Sequence, residues 1–509
     1  MKKNNKLSAV IDLGSSGIRL LIAEKRATKW KALETLERKC TLGRDVFVSE
    51  EISEESFQQV VEILRLFREY IETWSISPSK IRCIATSAVR EAHNRDMFIE
   101  RVELQTSFAF QVLEAMEANL LTYRSVDHAL RGHLRIKRSN ALIVETSGGG
   151  TNVLMLNKGL MVGAHSLNLG SIRFEKELKS GLGTSDYLQK LLDQKTLVAT
   201  RQFEMEFPLK RVKYFVALGS DIRRVAGQIG EKNKGYYLIQ AEAFVEFLEK
   251  ISGMESVEVA SEYGVSFSES GAFFATLQIY GAFFKHCSAT SLIVPKVSIR
   301  EGVLQSSKRI STLASLEDEI AGACYSLAAK FGVDKKHSDN VAFNALKIFE
   351  ELTKTGNFDK DHKIYLRSAA VLMDIGLFLH HRHSQRHGLY LIKNSEIFGL
   401  NELDRTIVGL IVRYHSKTRP KHTHSEFSSL GRSDRLTVFK LSAILRVARA
   451  LDIRLVQRLK VDSVQRDANR LQLKTNIANI SPLEVGSLQD ASEIFQDVFG
   501  LKIEFAARS

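Results

Sequence analysis

Two glycine- and serine-rich segments each follow an acidic residue at the end of an apolar run. The first is residues 12–17, Asp-Leu-Gly-Ser-Ser-Gly, and the second is residues 145–151, Glu-Thr-Ser-Gly-Gly-Gly-Thr. Glycines after a strand let backbone N–H groups approach a phosphate closely, and hydroxyls add further donors. The two segments together predict a two-sided phosphate clamp, with a plain tight turn as the alternative for the first. The predicted phosphate-binding residues are Gly14, Ser15, Ser16, Gly148, Gly149, Gly150 and Thr151.

The acidic residue that begins the first segment suggests a metal. An aspartate at a strand end, such as Asp12, can hold a hydrated Mg²⁺ that bridges to phosphate oxygens. Three adjacent glycines in the second segment cost conformational entropy unless a ligand lies against the backbone. The chemistry expected of these segments is therefore the binding of a phosphate chain.

The elements around these segments read as a repeated α/β unit. Residues 8–13 and 19–24 favour two strands, 54–73 a helix with an apolar stripe, 81–86 a strand and 88–95 a helix. Residues 141–144 and 153–156 repeat the order of strand, acidic residue, turn and strand about 130 residues later. Two such units predict an α/β fold with duplicated lobes and a ligand cleft between them.

The rest of the chain has a different character. Helical patterns dominate from about residue 311 to 455, and residues 456–509 favour a small α/β appendix. We therefore predict lobe I at 1–130, lobe II at 131–310, a helical domain at 311–455 and the appendix at 456–509. No linker composition marks these boundaries.

Composition excludes several protein classes. The 509 residues are 44% hydrophobic and 26% charged, with a net charge of +13, which argues against disordered, collagen-like and membrane classes. The four cysteines form no C-x-x-C pair, which suits a reducing compartment. Asp12 interrupts the apolar stretch after the charged start, so no signal peptide and a cytoplasmic location are predicted.

Positive charge is concentrated late in the chain. Residues 405–460 hold about thirteen Lys and Arg against about three Asp and Glu. A polyanion-binding surface is the functional prediction, a solvated helix face is the alternative, and nucleic acid fits the charge equally well. The residues predicted to bind the polyanion are Arg413, Lys417, Arg419 and Lys421.

Four segments in a fixed order carry a resemblance to a known family: residues 10–16, 85–92, 148–151 and 298–302. They resemble the exopolyphosphatase / guanosine-pentaphosphate phosphohydrolase family, a branch of the actin-like (ribonuclease H-like) fold. Residues 337–452 resemble its helical, HD-type third domain and residues 483–499 its terminal appendix. The resemblance implies release of terminal phosphate from polyphosphate or guanosine pentaphosphate, by a protein that often forms a homodimer.

The resemblance also implies roles for individual residues. Asp12 and Glu145 would be the metal-side carboxylates, with Mg²⁺ or another divalent cation as cofactor. Arg90 would offer a fork-shaped donor to phosphate oxygens, with a structural salt bridge as the alternative. The helical domain and the basic stretch argue against a third candidate function, an actin-like ATPase or sugar kinase.

The sequence departs from the family pattern where the water-activating base is expected. Members commonly carry two adjacent glutamates, whereas here Met116 occupies the first position and Glu117 the second. Glu117 is therefore the predicted catalytic residue beside Arg90. Asn119, Asn152 and Asp221 are further departures. A methionine accepts no proton, so a binding or sensing protein without efficient turnover is the alternative to a hydrolase.

The HD-type metal site is also incomplete. His337, Asp374 and Asp452 match its ligands, but Met373 replaces the histidine of the adjacent His-Asp pair. A thioether is a poor ligand for a hard cation. Two further family histidines are matched by His387 and His415. The alternative prediction is a set of histidines satisfied within a helical core or facing phosphate.

Overall fold

A mostly apolar segment that includes Ser8 and Asp12 forms the central strand of the first sheet. Every residue of β1 (Leu7–Leu13) is buried, as expected of a strand with structure on both faces. The computed structural model describes residues 6–27, 29–134, 138–173, 185–306, 317–354, 358–416, 418–477 and 481–507. The chain divides into two compact units, Met1–Ile310 and Ser311–Ser509; the four-domain division stays a prediction.

The first sheet of the first unit has the strand order β3-β2-β1-β4-β5. β1 pairs antiparallel with β2 and parallel with β4. Its strands are β1, β2 (Gly17–Arg26), β3 (Lys29–Lys39), β4 (Ile81–Ala85) and β5 (Phe110–Val112). Its helices are α1 (Leu42–Ser49), α2 (Glu54–Thr73), α3 (Ser87–Glu91), α4 (Arg95–Thr106) and α5 (Ala115–Leu130).

The second sheet repeats this arrangement with the order β10-β11-β12-β9-β6-β7-β8. Its first strand, β6, pairs antiparallel with β7 and parallel with β9, as β1 does with β2 and β4. The strands are β6 (Ala141–Thr146), β7 (Thr151–Asn157), β8 (Leu160–Leu167), β9 (Tyr214–Leu218), β10 (Glu231–Lys232), β11 (Tyr236–Gln240) and β12 (Ser291–Pro295). The helices are α6 (Ser185–Glu206), α7 (Ser220–Ile229), α8 (Ala241–Ser252), α9 (Ser256–Tyr263), α10 (Ser270–Phe284) and α11 (Ile299–Gln305).

The second unit is mostly helical and ends in a small sheet. Its helices are α12 (Glu317–Lys330), α13 (Lys335–Thr353), α14 (Lys360–Leu372), α15 (Ser384–Lys393), α16 (Glu402–Tyr414), α17 (Ser425–Ser428), α18 (Arg432–Ala450) and α19 (Pro482–Phe499). Strands β13 (Val461–Arg466), β14 (Arg470–Thr475) and β15 (Lys502–Ala507) form the sheet in that order. None of the described helices is both long and apolar enough to span a membrane.

Candidate phosphate-binding cleft

The conformation of the turn between β1 and β2 is set by its own backbone. Asp12 lies opposite Arg19 in the β1–β2 register, and the Gly14 N–H donates to the Gly17 carbonyl at 3.1 Å. A Cβ on Gly17 would lie 2.8 Å from the Arg38 carbonyl oxygen of β3. Glycine is therefore required at residue 17, because only glycine lets the two strands come this close.

The turn between β6 and β7 has the same construction. Glu145 lies opposite Asn152, and the Ser147 N–H donates to the Gly150 carbonyl at 2.9 Å. A Cβ on Gly148 would lie 2.9 Å from Ser15 Oγ of the first turn. The β1–β2 and β6–β7 turns therefore face each other at close range, with no side chain on Gly148 to separate them.

A cavity of about 620 Å³ opens beside the two turns. This volume is within the range of small-molecule sites, roughly 300–1,000 Å³. The predicted residues that line it are Asp12, Gly14, Ser15, Ser16, Arg90, Glu145, Gly148, Gly149 and Gly150. The structure thus brings both turns, both predicted metal-side carboxylates and the predicted arginine to one cleft.

Asp12 is the more deeply buried of the two carboxylates. It is 6% exposed, and its Oδ1 has no hydrogen-bond partner among the described residues. Burial raises the pKa of Asp12 above its ordinary value, and Arg19 and Arg300 oppose that shift. A buried carboxylate oxygen without a partner is costly unless a cation or a donor completes it.

Glu145 is positioned by a residue of α5. Thr122 Oγ1 donates to Glu145 Oε2 at 3.0 Å. Burial is the main cause that raises the pKa of Glu145, with Asp12 adding to it and Thr122 opposing it. Two carboxylates together with phosphate oxygens and water are a donor set that Mg²⁺ accepts, so these residues fit such an ion. No cluster of three or more acidic, histidine or cysteine side chains in the described ranges could hold a metal by itself.

Three of the arginines that line the cleft, Arg300, Arg90 and Arg19, come from different elements. Arg300 is 6% exposed, its Nε donates to Ser298 Oγ at 3.0 Å, and its Nη1 is buried without a partner in the part of the chain described. Arg90 Nη1 donates to the Leu113 carbonyl at 2.9 Å. Arg19 pairs with Glu37 at 2.8 Å. An unpartnered guanidinium N–H beside an unpartnered carboxylate oxygen indicates a site for a charged ligand.

Sequence reasoning gave no role to Arg19 or Arg300. Residue 300 lies within the segment 298–302 that carried the family resemblance, so the motif was the available signal. The motif alone does not relate Arg300 to Asp12, because α11 and β1 are far apart in the sequence. Only the folded unit shows that Arg300 and Asp12 act on one another electrostatically.

Two predicted residues do not line the cleft. Glu117 accepts the Glu114 backbone N–H at 3.1 Å in a capping box that starts α5. Thr151 is fully buried, and its hydroxyl donates to the Leu169 carbonyl at 2.6 Å. The base role of Glu117 and the phosphate role of Thr151 therefore stay predictions, since one Glu117 oxygen is engaged by the Glu114 backbone N–H and the Thr151 hydroxyl by the Leu169 carbonyl. Met116, at 8% exposure, is also absent from the cleft lining.

The HD-like residues of the second unit meet but are engaged with one another. His337 Nδ1 lies 2.7 Å from Asp452 Oδ2, and His337 Nε2 lies 3.5 Å from Asp374 Oδ2. Both ring nitrogens thus face carboxylates. The His415 Nδ1 contacts the Val412 carbonyl, and burial lowers the pKa of His415. His387 lies half-buried on α15. This geometry favours histidines satisfied within the helical core.

The basic stretch is dispersed in the structure. Arg419 pairs with Asp497 at 3.1 Å, and Lys421 is exposed. Arg413 is buried and pairs with Glu426 at 3.3 Å. Arg446 is also buried, and its Nε donates to the Tyr414 carbonyl at 2.7 Å. Lys417 lies outside the described residues. Among the described residues of 405–460, Arg413 and Arg446 are therefore internal donors of the helical unit, and polyanion binding by this stretch stays a prediction.

Comparison with known proteins decides the family. The model described as "Ppx/GppA phosphatase family" matches residues 21–309, and that described as "Ppx/GppA phosphatase, domain III" matches residues 322–490. The chain belongs to the Ppx/GppA phosphatase family. A curated relative, the guanosine-5'-triphosphate,3'-diphosphate pyrophosphatase of Pseudoalteromonas translucida, is 22% identical over 504 residues, which is 97% of each chain.

A solved Ppx/GppA-type structure supports the fold. The crystal structure of an exopolyphosphatase from Cytophaga hutchinsonii matches with a TM-score of 0.52 and 18% identity, covering 58% of this chain and 96% of that one. The predicted family resemblance is confirmed, and so is the actin-like α/β fold at this coarse level. The HD-like character of the helical domain stays a prediction.

Proposed function

We propose that this member of the Ppx/GppA family is a phosphoanhydride hydrolase that releases terminal phosphate from inorganic polyphosphate or guanosine pentaphosphate. The observation that carries the proposal is the cleft beside the β1–β2 and β6–β7 turns, which Asp12 and Arg300 line and where Asp12 Oδ1 and Arg300 Nη1 are buried without partners among the described residues. A phosphate chain end satisfies the arginine, and its counter-cation satisfies the aspartate. The names of the related pyrophosphatase and exopolyphosphatase supply the two substrate classes.

The chain's own residues would bind and orient the phosphates. The turn at 14–16 and the glycines at 148–150 offer backbone N–H groups and small side chains on two sides of the chain end. Arg90 and Arg300 add directional donors. Asp12 and Glu145 would hold a divalent cation, which when bound neutralises phosphate charge and so favours attack by water.

Removal of a proton from the attacking water needs a carboxylate in the cleft. Three of the lining acids are paired with cations: Glu37 with Arg19, Glu269 with Lys39 and Glu91 with Arg173. The others are Asp12, Glu145 and Asp221. Burial raises the pKa of all three. We assign the proton to Glu145, because Asp12 is assigned to the cation, Asp221 is hydrogen-bonded to Thr276 and Ser220, and Thr122 engages one Glu145 oxygen.

A second candidate is a protein that binds these ligands without efficient turnover. The observation that favours it is that no carboxylate of α5 lines the described cleft. Met116 carries no acid, and the Glu117 carboxylate accepts the Glu114 backbone N–H instead. Loss of a positioned base costs about 10²–10⁴-fold in rate. Binding would survive, because the arginines and turns are unchanged by it.

The test measures phosphate release from long-chain polyphosphate and from guanosine pentaphosphate with Mg²⁺, beside equilibrium binding of both. The hydrolase predicts multiple turnovers that Asp12→Asn reduces sharply and Glu117→Gln leaves within a few-fold of wild type. Tight, salt-sensitive binding with no release would establish the second candidate instead. No release and no binding of either ligand would refute both.

A further inference from the structure

The second unit contains a pocket of its own, formed by α15, the C-terminal end of α16 and residues 423–426. It encloses about 530 Å³. Its polar lining is dominated by Arg386, Lys393, Arg413 and His424, with Tyr390 on the same wall and Glu426 as its single acidic side chain. We call this the α15–α16 pocket.

The sequence builds this pocket by bringing two helices close together. A Cβ on Gly388 would lie 2.9 Å from a Val412 methyl carbon, and one on Gly409 would lie 2.7 Å from a Leu389 methyl carbon. Glycine in both helices permits this close packing. Residues 386, 390 and 393 are spaced by four and three, so they share one face of α15. That face lines the pocket.

Arg413 is the buried cation of the pocket. Its side chain is 10% exposed, and its Nη1 pairs with Glu426 at 3.3 Å. Its Nε is buried without a hydrogen-bond partner in the described part of the chain. Glu426 therefore satisfies only part of the guanidinium, and a buried donor without an acceptor is costly. A bound anion would complete it.

The surrounding potential is positive. His424 shares a 2.7 Å hydrogen bond with the Tyr414 hydroxyl, and burial lowers its pKa, with Arg413, Lys421 and Arg386 lowering it further. Three cations therefore act on one ring. The single acid, Glu426, is already engaged by Arg413. Clustered cations with few acids raise the local concentration of phosphate-type anions.

We propose that the α15–α16 pocket is a binding site for the oxyanion groups of a small phosphate compound, separate from the cleft in the first unit. Arg386, Lys393 and Arg413 supply charge-assisted hydrogen bonds, and Arg413 Nε is the donor that a phosphate oxygen completes. The proposal does not rest on the proposed hydrolase activity, because it uses no residue of the cleft.

The experiment uses the full chain and inorganic tripolyphosphate as the probe, with inorganic phosphate as a second arm. Hydrogen–deuterium exchange, at ionic strength matched with chloride salt, locates the bound anion along the chain. We expect slower exchange in 384–394 and 422–428 when tripolyphosphate is present. A phosphate effect equal to that of tripolyphosphate defines a single-phosphate site, and a larger tripolyphosphate effect defines a site for several phosphates; both support the proposal.

The decisive comparison is between two double variants of equal charge change. Arg386→Gln/Lys393→Gln alters the pocket, whereas Arg432→Gln/Arg454→Gln removes two exposed arginines of the same unit outside it. The first should lose the local protection and bind tripolyphosphate at this site at least about tenfold more weakly, and the second should resemble wild type. Equal protection and equal affinity in both variants, or no protection in wild type, would overturn the proposal.

Discussion

The substitution Gly302→Ala is expected to disrupt the cleft by separating two helices that position its residues. Gly302 lies on α11 and faces the backbone of α5, where a Cβ would lie 2.1 Å from the Leu121 carbonyl oxygen and 2.7 Å from its carbon. The shortest ordinary carbon–oxygen contact is about 3.3 Å, so Gly302→Ala requires the two helices to separate by about 1.2 Å. Neither atom belongs to a flexible side chain that can move aside.

That separation moves both sides of the site. α11 carries Arg300, and α5 carries Thr122, which donates to Glu145. Overpacking of this kind costs about 1–3 kcal/mol of stability. A misplacement of about 1 Å at the reacting groups costs on the order of 10²-fold in rate. Gly302→Ala should therefore lower the urea midpoint of unfolding and also lower kcat/KM for phosphate release.

The matched control is Gly227→Ala. Gly227 lies within α7 of the same unit, and a Cβ there meets no atom within 4 Å. Alanine is a better helix former than glycine by up to about 1 kcal/mol, so this variant should be as stable as wild type or slightly more stable. Urea unfolding followed by circular dichroism compares the three proteins. An unchanged midpoint for Gly302→Ala would refute the inferred close contact between α5 and α11.

Three further outcomes are expected. Glu145→Gln should reduce phosphate release by about 10²–10⁴-fold, whereas Glu117→Gln should change both release and stability little, because a glutamine amide oxygen can still accept the Glu114 N–H in the α5 capping box; phosphate assays and urea unfolding measure the two effects. Arg300→Lys should raise KM at least about tenfold without unfolding the protein, because lysine lacks the second guanidinium donor; an unchanged KM would count against phosphate contact by Arg300. Burial lowers the pKa of His415, so below about pH 6.5 this histidine is protonated in the unfolded chain but stays neutral in the folded unit. The free energy of unfolding should therefore fall by about 1.4 kcal/mol for each pH unit until the folded pKa is reached. Unfolding midpoints between pH 7.5 and 4.5 measure this, and His415→Gln should flatten that part of the profile.

Local patterns located the elements that local forces determine. The expected strand at 8–13 is β1, Leu7–Leu13, because its whole apolar run is buried. The expected helix at 54–73 is α2, Glu54–Thr73, since the Ser53 side chain accepts the Ser56 N–H and fixes the start. Where hydrophobic period and capping residue agree, the sequence is sufficient to place an element.

Long-range bonds explain where local patterns were insufficient. The single helix expected at 88–95 is broken, because α3 ends at Glu91 and α4 begins at Arg95. Asn94 between them exchanges two hydrogen bonds with the backbone of Ile52, at 2.9 and 3.0 Å. A partner more than forty residues away overrides the helical preference of this stretch. The same limit hid the electrostatic influence of Arg300 on Asp12.

In the basic stretch, composition predicted a surface function for cations, some of which the structure buries between helices. Charge counted along 405–460 predicted a surface track, yet Arg413 and Arg446 are buried and bond to Glu426 and the Tyr414 carbonyl. A long side chain can bury its stem and use its charged end as an internal donor. Of the described Lys and Arg residues in this stretch, Arg413 is the one that we propose to bind a ligand, in the α15–α16 pocket.

The role of Glu145 decides between the two candidate functions. Met116 replaces the first of the two glutamates that the family usually carries in α5, and Asn152 replaces a further acid, while Asp221 adds an acid at the start of α7. Asp221 is engaged by Thr276, Ser220 and the charge of Arg224, which fixes it in a structural role. Asn152 accepts the Ser166 hydroxyl at 2.8 Å and carries no charge. Thr122 donates to one Glu145 oxygen, and no described residue donates to the other, which we assign to water or to a cation. If that oxygen takes the proton, the cleft hydrolyses; if it serves only the cation, the same cleft binds phosphate chains and releases them unchanged.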